Sequence, residues 1–168
     1  ALIQAAEAIT DEALQQLAEK AQGVPKLAIT ARRGLVLNLT DKDTAAIILG
    51  CPKGWRAETI LDLADPLSTF DLTEGECGAL DVDEAETYGC ESAAIGLAKV
   101  ARLLPAAVVA QIADAEANDL DAWVIRHGLL VVDAGDVFQY EHTQARTLKA
   151  VSEATVPLLD AQDTRIVA

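Results

Sequence analysis

The segment GCESAAIGLAKVARLLPAAVVAQI, residues 89–112, carries the strongest structural signal in the chain. A glycine opens it, and apolar residues at helical spacing follow. Pro105 ends the predicted helix, and an unbroken apolar run of strand type comes next. A helix that leads into a buried strand is half of a βαβ unit, and α/β proteins place their chemistry at the ends of such strands. The segment therefore predicts helices layered on a sheet, with a site near residues 90 and 111.

Similar patterns predict further elements on both sides of this segment. The predicted helices are a Thr10-capped helix to about residue 22, residues 58–64, residues 91–104, a helix from Asp119 to Gly128, and one capped by Asp136. The predicted strands are residues 24–30, 34–39, 77–82, 106–112 and 129–132. Residues 146–158 are β-like through their branched side chains, with a helical start as the alternative. We expect an α/β (α+β) layered domain, with helices packed on a mixed sheet.

Composition narrows the classes of partner. The chain has 168 residues, 51% of them hydrophobic and only 4% aromatic, which suits one domain of helices packed on a sheet. A net charge of −14 argues against nucleic acid and anionic membranes as partners, because both are bound mainly through Lys and Arg. No apolar run approaches a membrane span and no signal peptide opens the chain, so we expect a cytoplasmic protein.

The cysteines Cys51, Cys77 and Cys90 are odd in number and lack CxxC spacing. This arrangement is typical neither of a zinc site nor of a disulfide framework. We therefore predict three free thiols in a reducing cytoplasm.

The ends of the 89–112 segment lack the titratable groups that catalysis needs. Cys90 and Gln111 stand where His, Glu or Asp would be expected, and an amide cannot transfer a proton at neutral pH. Carboxylates follow other predicted strands and are interpreted as solvated helix caps: Asp114, Asp133 and Asp136. His127 and His142 have no partner at a recognisable spacing and are predicted to be structural or exposed.

The order of short motifs resembles 3,4-dihydroxy-2-butanone 4-phosphate synthase along nearly the whole chain. The family pattern is Gly-His-Thr-Glu-Ala, a helix, Pro-Ala-Gly-Val, and then Cys-Glu. Gly89 and Ala93 match the ends of the first motif. Pro105, Ala106 and Val108 match the second motif. The resemblance implies the fold of this family.

The chain departs from the family at the positions that carry its chemistry. The resemblance places the metal-binding His at Cys90, the phosphate-contacting Thr at Glu91 and a Glu at Ser92. It places the acid/base Glu at Gln111, and the His of a Pro-Gly-His turn at Glu76. A thiol is a poor substitute for imidazole at magnesium. We predict no catalytic residue, no metal site and no cofactor, with magnesium required only if an active enzyme is the correct reading.

Arg56 is the one candidate for substrate binding. In the sequence RAETI it falls where the resemblance places a phosphate-binding Arg, and Arg binds phosphate bidentately. An exposed Arg at the start of a helix is the structural alternative. The family's acidic loop, which supplies a second magnesium ligand, has no counterpart in this sequence, and the segment before Arg56 is shortened.

The resemblance also predicts the domain organisation. Residues 1–155 are expected to form a degenerate synthase-like domain, and residues 156–168 a linker and the start of a GTP cyclohydrolase II domain, because VPLLDAQDTRIVA resembles that junction. We predict a homodimer with a structural, dimerising or regulatory role in a GTP cyclohydrolase II protein of riboflavin biosynthesis. One alternative is an active magnesium-dependent lyase that converts ribulose 5-phosphate. The other is a small-molecule binding module around Arg56.

Overall fold

The computed structural model describes residues 1–41, 44–68, 79–114, 118–147, 153–155 and 165–167. The contacts divide the chain into two units, Ala1–Phe138 and Gln139–Ala168. The predicted domain boundary at residue 155 remains a prediction.

A five-stranded sheet forms the centre of the first unit. Its strands are β1 (Leu2–Ala5), β2 (Lys26–Thr30), β3 (Ala46–Gly50), β4 (Asp81–Glu84) and β5 (Ala106–Ala110), in the order β1-β5-β2-β3-β4. The layered α+β fold is confirmed. Neighbouring strands are antiparallel at all four pairings, so this sheet is not mixed. The expectation of a βαβ half-unit is corrected accordingly.

Six α-helices surround or follow the sheet within the described residues: α1 (Asp11–Ala21), α2 (Ala31–Val36), α3 (Ala57–Ala64), α4 (Cys90–Val100), α5 (Leu120–His127) and α6 (Ala134–Thr147). A short 3-10 helix spans Ala6–Ala8. In the second unit, β6 (Glu153–Thr155) pairs with β7 (Arg165–Val167) as an antiparallel ribbon.

The sheet has a hydrophobic layer on each face. On the first face, residues such as Leu27 and Val108 form a cluster with apolar side chains of α1 and α3. On the second face, Ala28 and Ala107 pack with Ala94 of α4. Alternate residues of one strand point to opposite faces, and both faces are covered. All five residues of β5 are therefore buried. This burial explains the unbroken apolar run that stood out in the sequence.

Side-chain caps fix two predicted helix starts. The hydroxyl of Thr10 accepts a hydrogen bond from the amide of Ala13 at 3.1 Å. The carboxylate of Asp119 accepts one from the amide of Ala122, also at 3.1 Å. Gly128 ends α5 in the left-handed region at φ 63°. Each cap satisfies backbone groups that a helix end would leave unpaired, which is why these bounds could be predicted.

Two predicted strands are wrong. The sequence predicts an extended segment at residues 34–39, but α2 continues to Val36 and a turn follows it. Its start is fixed by Thr30, whose hydroxyl accepts a hydrogen bond from the amide of Arg33 at 3.2 Å. Residues 129–132 are outside any strand, and the side chain of Leu130 is 96% exposed. Without a neighbouring strand among the described residues, an apolar run has no ladder to join.

Candidate functional site

The two ends of the 89–112 segment meet in space. Cys90 and Glu91 occupy the first turn of α4, and Gln111 directly follows β5. The side-chain amide of Gln111 donates to Oε1 of Glu91 at 3.1 Å and lies 3.3 Å from Sγ of Cys90. The thiol of Cys90 donates to Oε2 of Glu91 at 3.3 Å. We call these three residues the Cys90–Glu91–Gln111 cluster.

The backbone beneath the cluster is held by a close approach of α1. The amide of Ala113 donates a hydrogen bond to the carbonyl of Ala21 at 2.7 Å. A Cβ on Gly23 would collide with the carbonyl oxygen of Gln111. Glycine is therefore required at residue 23 for steric reasons, and Gln111 is fixed by the end of α1 as well as by β5.

The turn before α4 is held by local contacts. The amide of Gly89 donates to the carbonyl of Glu86 at 3.0 Å, and the hydroxyl of Ser92 donates to the same oxygen at 2.7 Å. The ring of Tyr88 meets that of Phe138 edge-on, with centroids 5.5 Å apart. Ser92, at the position where the resemblance places a Glu, thus takes part in fixing the turn.

The cluster does not suit magnesium. This ion requires oxygen ligands in near-octahedral geometry. The cluster has one carboxylate, Glu91, whose two oxygens accept hydrogen bonds from Cys90 and Gln111. The thiol of Cys90 is a poor ligand for this ion. No group of three or more His, Cys, Asp or Glu side chains that could hold a metal ion occurs anywhere in the described part of the chain. The residues present therefore do not fit the metal.

Arg56 lines a separate cavity. It is the N-cap residue of α3, and its side chain is exposed. The cavity has a volume of about 390 Å³ and is bounded by α1 and by the loops before β2 and α3. None of the residues of the Cys90–Glu91–Gln111 cluster contributes to its lining. The structure does not bring Arg56 and the cluster together in one cavity.

The three carboxylates that were predicted to be solvated caps differ in role. Asp114 is not a solvated cap: its Oδ2 accepts a hydrogen bond from the indole nitrogen of Trp123 at 2.8 Å, and Trp123 is fully buried. Asp133 acts as a cap, because its carboxylate accepts from the amide of Gly135 at 2.8 Å. Asp136 lies within the first turn of α6, so the prediction that it caps this helix is wrong.

The two histidines were predicted to be structural or exposed. The ring of His127 lies 4.3 Å from the indole ring of Trp123, a structural contact. His142 lies in α6, where its side chain is outside the described part of the structure. Glu76 and Cys77 also fall outside the described residues.

The prediction of three free thiols is wrong for Cys51, which is disulfide-bonded. Cys90 is a free thiol. Sequence spacing carried no signal for this bond, because disulfide pairing depends on the distance between strands and loops in the folded chain.

Sequence reasoning missed several residues that shape these sites. Lys26 of β2 forms an ion pair with Asp83 of β4 at 3.6 Å, across the intervening strand β3. The carboxylate of Asp11 accepts a hydrogen bond from the amide of Ala57 at 2.8 Å, linking α1 to the start of α3. The indole of Trp55 donates to the carbonyl of Pro25 at 3.0 Å. These contacts join residues far apart in the chain, so local patterns could not reveal them.

Comparison with solved structures identifies the fold. A two-domain 3,4-dihydroxy-2-butanone 4-phosphate synthase from A. baumannii aligns over 98% of this chain and 56% of its own, with a TM-score of 0.64 and 18% identity. The synthase of Candida albicans aligns over 83% of both chains, with a TM-score of 0.64 and 24% identity. A synthase in complex with two magnesium ions aligns over 88% of this chain and 86% of its own, with a TM-score of 0.60 and 18% identity. The chain is therefore a domain with the 3,4-dihydroxy-2-butanone 4-phosphate synthase fold.

Sequence comparison adds a more specific relationship. The chain is 38% identical over 165 residues to a GTP cyclohydrolase-2 of Azospirillum brasilense. The alignment covers 96% of this chain but only 41% of the length of that relative. No family model matches the sequence. This protein is thus a synthase-like domain related to part of a GTP cyclohydrolase-2. In the described residues, no helix is both long and apolar enough to cross a membrane.

Proposed function

We propose that this chain is a catalytically inactive, synthase-like domain of a GTP cyclohydrolase II-type protein of riboflavin biosynthesis, with a structural, dimerising or regulatory role. The observation that carries the proposal is the hydrogen bond between Gln111 and Glu91. It joins the positions where the resemblance places an acid/base group and a phosphate contact. An amide cannot transfer a proton, and a carboxylate repels a substrate phosphate.

The proposal includes the absence of bound magnesium at this site. The thiol of Cys90 is a poor ligand for this ion. The nearby carboxylate of Glu91 is occupied by its two neighbours. Losing both a metal ligand and a proton-transfer group removes effects that are together worth several orders of magnitude in rate.

The chain incubated with ribulose 5-phosphate and magnesium is expected to form no 3,4-dihydroxy-2-butanone 4-phosphate. The measurement is product formation by mass spectrometry, with the Candida albicans synthase as the positive control under the same conditions. Turnover comparable to that control, abolished by a chelator, would contradict the proposal and support the active lyase.

The proposed partners are a second copy of the chain and a fused GTP cyclohydrolase II domain. The similarity to a GTP cyclohydrolase-2 supports the fusion. The homodimer is supported by exposed apolar side chains at Leu130, Val131 and Val132, which a partner surface would cover. Sedimentation should show a dimer, and Val131→Asp should weaken it. Val36→Asp is the control, because Val36 is also exposed but lies on α2, and it should leave the dimer intact. A wild-type monomer at high micromolar concentration would contradict this part.

We propose a cytoplasmic location, as expected for a biosynthetic protein. Disulfides are rare in reducing compartments, so the redox state of Cys51 in cells tests this location. Alkylation of the protein during extraction from cells, followed by mass spectrometry, measures the state of Cys51 directly. A modified Cys51 supports the cytoplasm, and an intact disulfide contradicts it.

A further inference from the structure

The cavity that Arg56 lines has the size and lining of a small-molecule site. Its volume of about 390 Å³ lies in the range of roughly 300–1,000 Å³ that ligand pockets occupy. One wall is apolar and comes from Leu14 and Ala18 of α1, together with Val24 and Pro25 of the following loop. Such pockets gain affinity from apolar walls and orientation from a few polar groups.

The lining also contains a fixed aromatic ring. Trp55 is half-buried and lines the cavity. Its indole nitrogen donates a hydrogen bond of 3.0 Å to the carbonyl of Pro25, so the ring is held in one orientation. An indole that is already fixed can stack on a planar ligand with little further loss of side-chain freedom.

The cavity also offers a positive charge. Neither a hydrogen bond nor an ion pair is found for the Arg56 guanidinium among the described residues. The carboxylate of Asp11 also lines the cavity, but it accepts a hydrogen bond from the amide of Ala57 at 2.8 Å. The start of α3 adds a partial positive charge at the same place. The Arg56 guanidinium can therefore donate two hydrogen bonds to an anion, because it is not paired with Asp11.

We propose that this cavity binds a small planar aromatic anion, with its ring against Trp55 and its carboxylate or phosphate group at Arg56. The apolar residues of α1 cover the first face of the sheet, whereas the Cys90–Glu91–Gln111 cluster is built on α4 at the second. The site is thus separate from the cluster, and its existence does not depend on whether the cluster is catalytic.

The test uses 2-naphthoate as the probe and the full chain as the receptor. Calorimetry should show saturable binding at one site, at least tenfold tighter than that of the uncharged 2-naphthylmethanol. Arg56→Gln should weaken 2-naphthoate binding about tenfold and remove the preference for the charged probe. Arg32→Gln, an exposed arginine on α2, is the matched control and should leave the affinity unchanged.

Nuclear magnetic resonance locates the probe. The chain has two tryptophans, and their indole N–H signals separate the cavity from the rest of the domain. Addition of 2-naphthoate should shift the Trp55 signal. The Trp123 signal should not change, because this indole is fully buried and hydrogen-bonded to Asp114. Absence of saturable binding at millimolar probe, equal binding of the uncharged probe, or full affinity in Arg56→Gln would overturn the proposal.

Discussion

The side-chain amide of Gln111 donates a hydrogen bond of 3.1 Å to the carboxylate of Glu91. The contact joins the residue after β5 to the first turn of α4, where the resemblance places an acid/base Glu and a phosphate-contacting Thr. The amide of Gln111 satisfies one carboxylate oxygen of Glu91, so the pair contributes to the local structure. An amide at residue 111 cannot itself transfer a proton. This arrangement determines how the site should respond to attempts to restore its chemistry.

Gln111→Glu is expected to destabilise the domain at neutral pH. It replaces a hydrogen bond by two carboxylates about 3 Å apart, which costs about 1 kcal/mol at a site open to water. Gln111→Ala removes the hydrogen bond without adding charge and serves as the control. Because the two carboxylates repel each other, the folded Gln111→Glu protein binds protons more readily than its unfolded chain. Its loss of unfolding free energy relative to Gln111→Ala should therefore be largest at pH 7 and smaller at pH 4. Urea unfolding at both pH values measures this difference, and a deficit independent of pH would contradict the electrostatic explanation.

The double variant Cys90→His with Gln111→Glu is expected to form no product from ribulose 5-phosphate. Glu91 stays at the position where the resemblance places a phosphate-contacting Thr, and it repels an anionic substrate. No other carboxylate joins the cluster in the described residues to complete a magnesium site. Mass spectrometry of reactions with and without chelator is the assay. Product above the wild-type level that depends on magnesium would show that only point losses separate this chain from an enzyme.

Asp114→Ala should lower the free energy of unfolding by about 1–3 kcal/mol, because it leaves the N–H of the buried Trp123 without this acceptor. Asp114→Asn keeps an acceptor oxygen and should retain most of the stability. Denaturant unfolding followed by tryptophan fluorescence reports on the same residue. Equal losses in the two variants would mean that the charge of Asp114, rather than its hydrogen bond, stabilises the fold.

Gly23→Ala is expected to destabilise the domain by about 2–3 kcal/mol, because the added Cβ collides with the backbone carbonyl of Gln111. Gly128→Ala is the matched control. Nothing lies within 4 Å of a Cβ at Gly128, and its φ of 63° costs only about 1–2 kcal/mol in alanine. Thermal unfolding of the two variants should rank Gly23→Ala as the less stable. The reverse order would show that the chain relaxes easily at the end of α1.

Local signals in the sequence were sufficient for much of the fold. The caps at Thr10 and Asp119 and the apolar run of β5 predicted elements correctly, since each depends on residues close in the chain. The pairing of strands was not predictable in this way. Antiparallel order depends on contacts between distant segments, and a helix and strand in succession suggested a parallel crossover that the fold does not contain.

The same distinction applies to the candidate sites. Cys90 and Gln111 could be associated because a known motif order relates them, and the structure brings them to 3.3 Å. Arg56 was assigned to that site by the same reasoning, yet it lines a different cavity. The roles of Asp11, Trp55 and Asp114 depend on backbone groups or indoles elsewhere in the chain. Residue type and spacing contain no information on such partners.

The alanines on the second face of the sheet position α4, whereas other residues form the Cys90–Glu91–Gln111 cluster. Ala28, Ala94 and Ala107 allow α4 to rest close to the strands, and none of them belongs to the Cys90–Glu91–Gln111 cluster. The position of the first turn of α4 is therefore set by small residues whose replacement would disturb the helix. The side chains of the Cys90–Glu91–Gln111 cluster take no part in this packing. Point mutations can replace the cluster residues one by one while the fold is retained. A domain of this kind can therefore lose an activity in evolution and keep its structure.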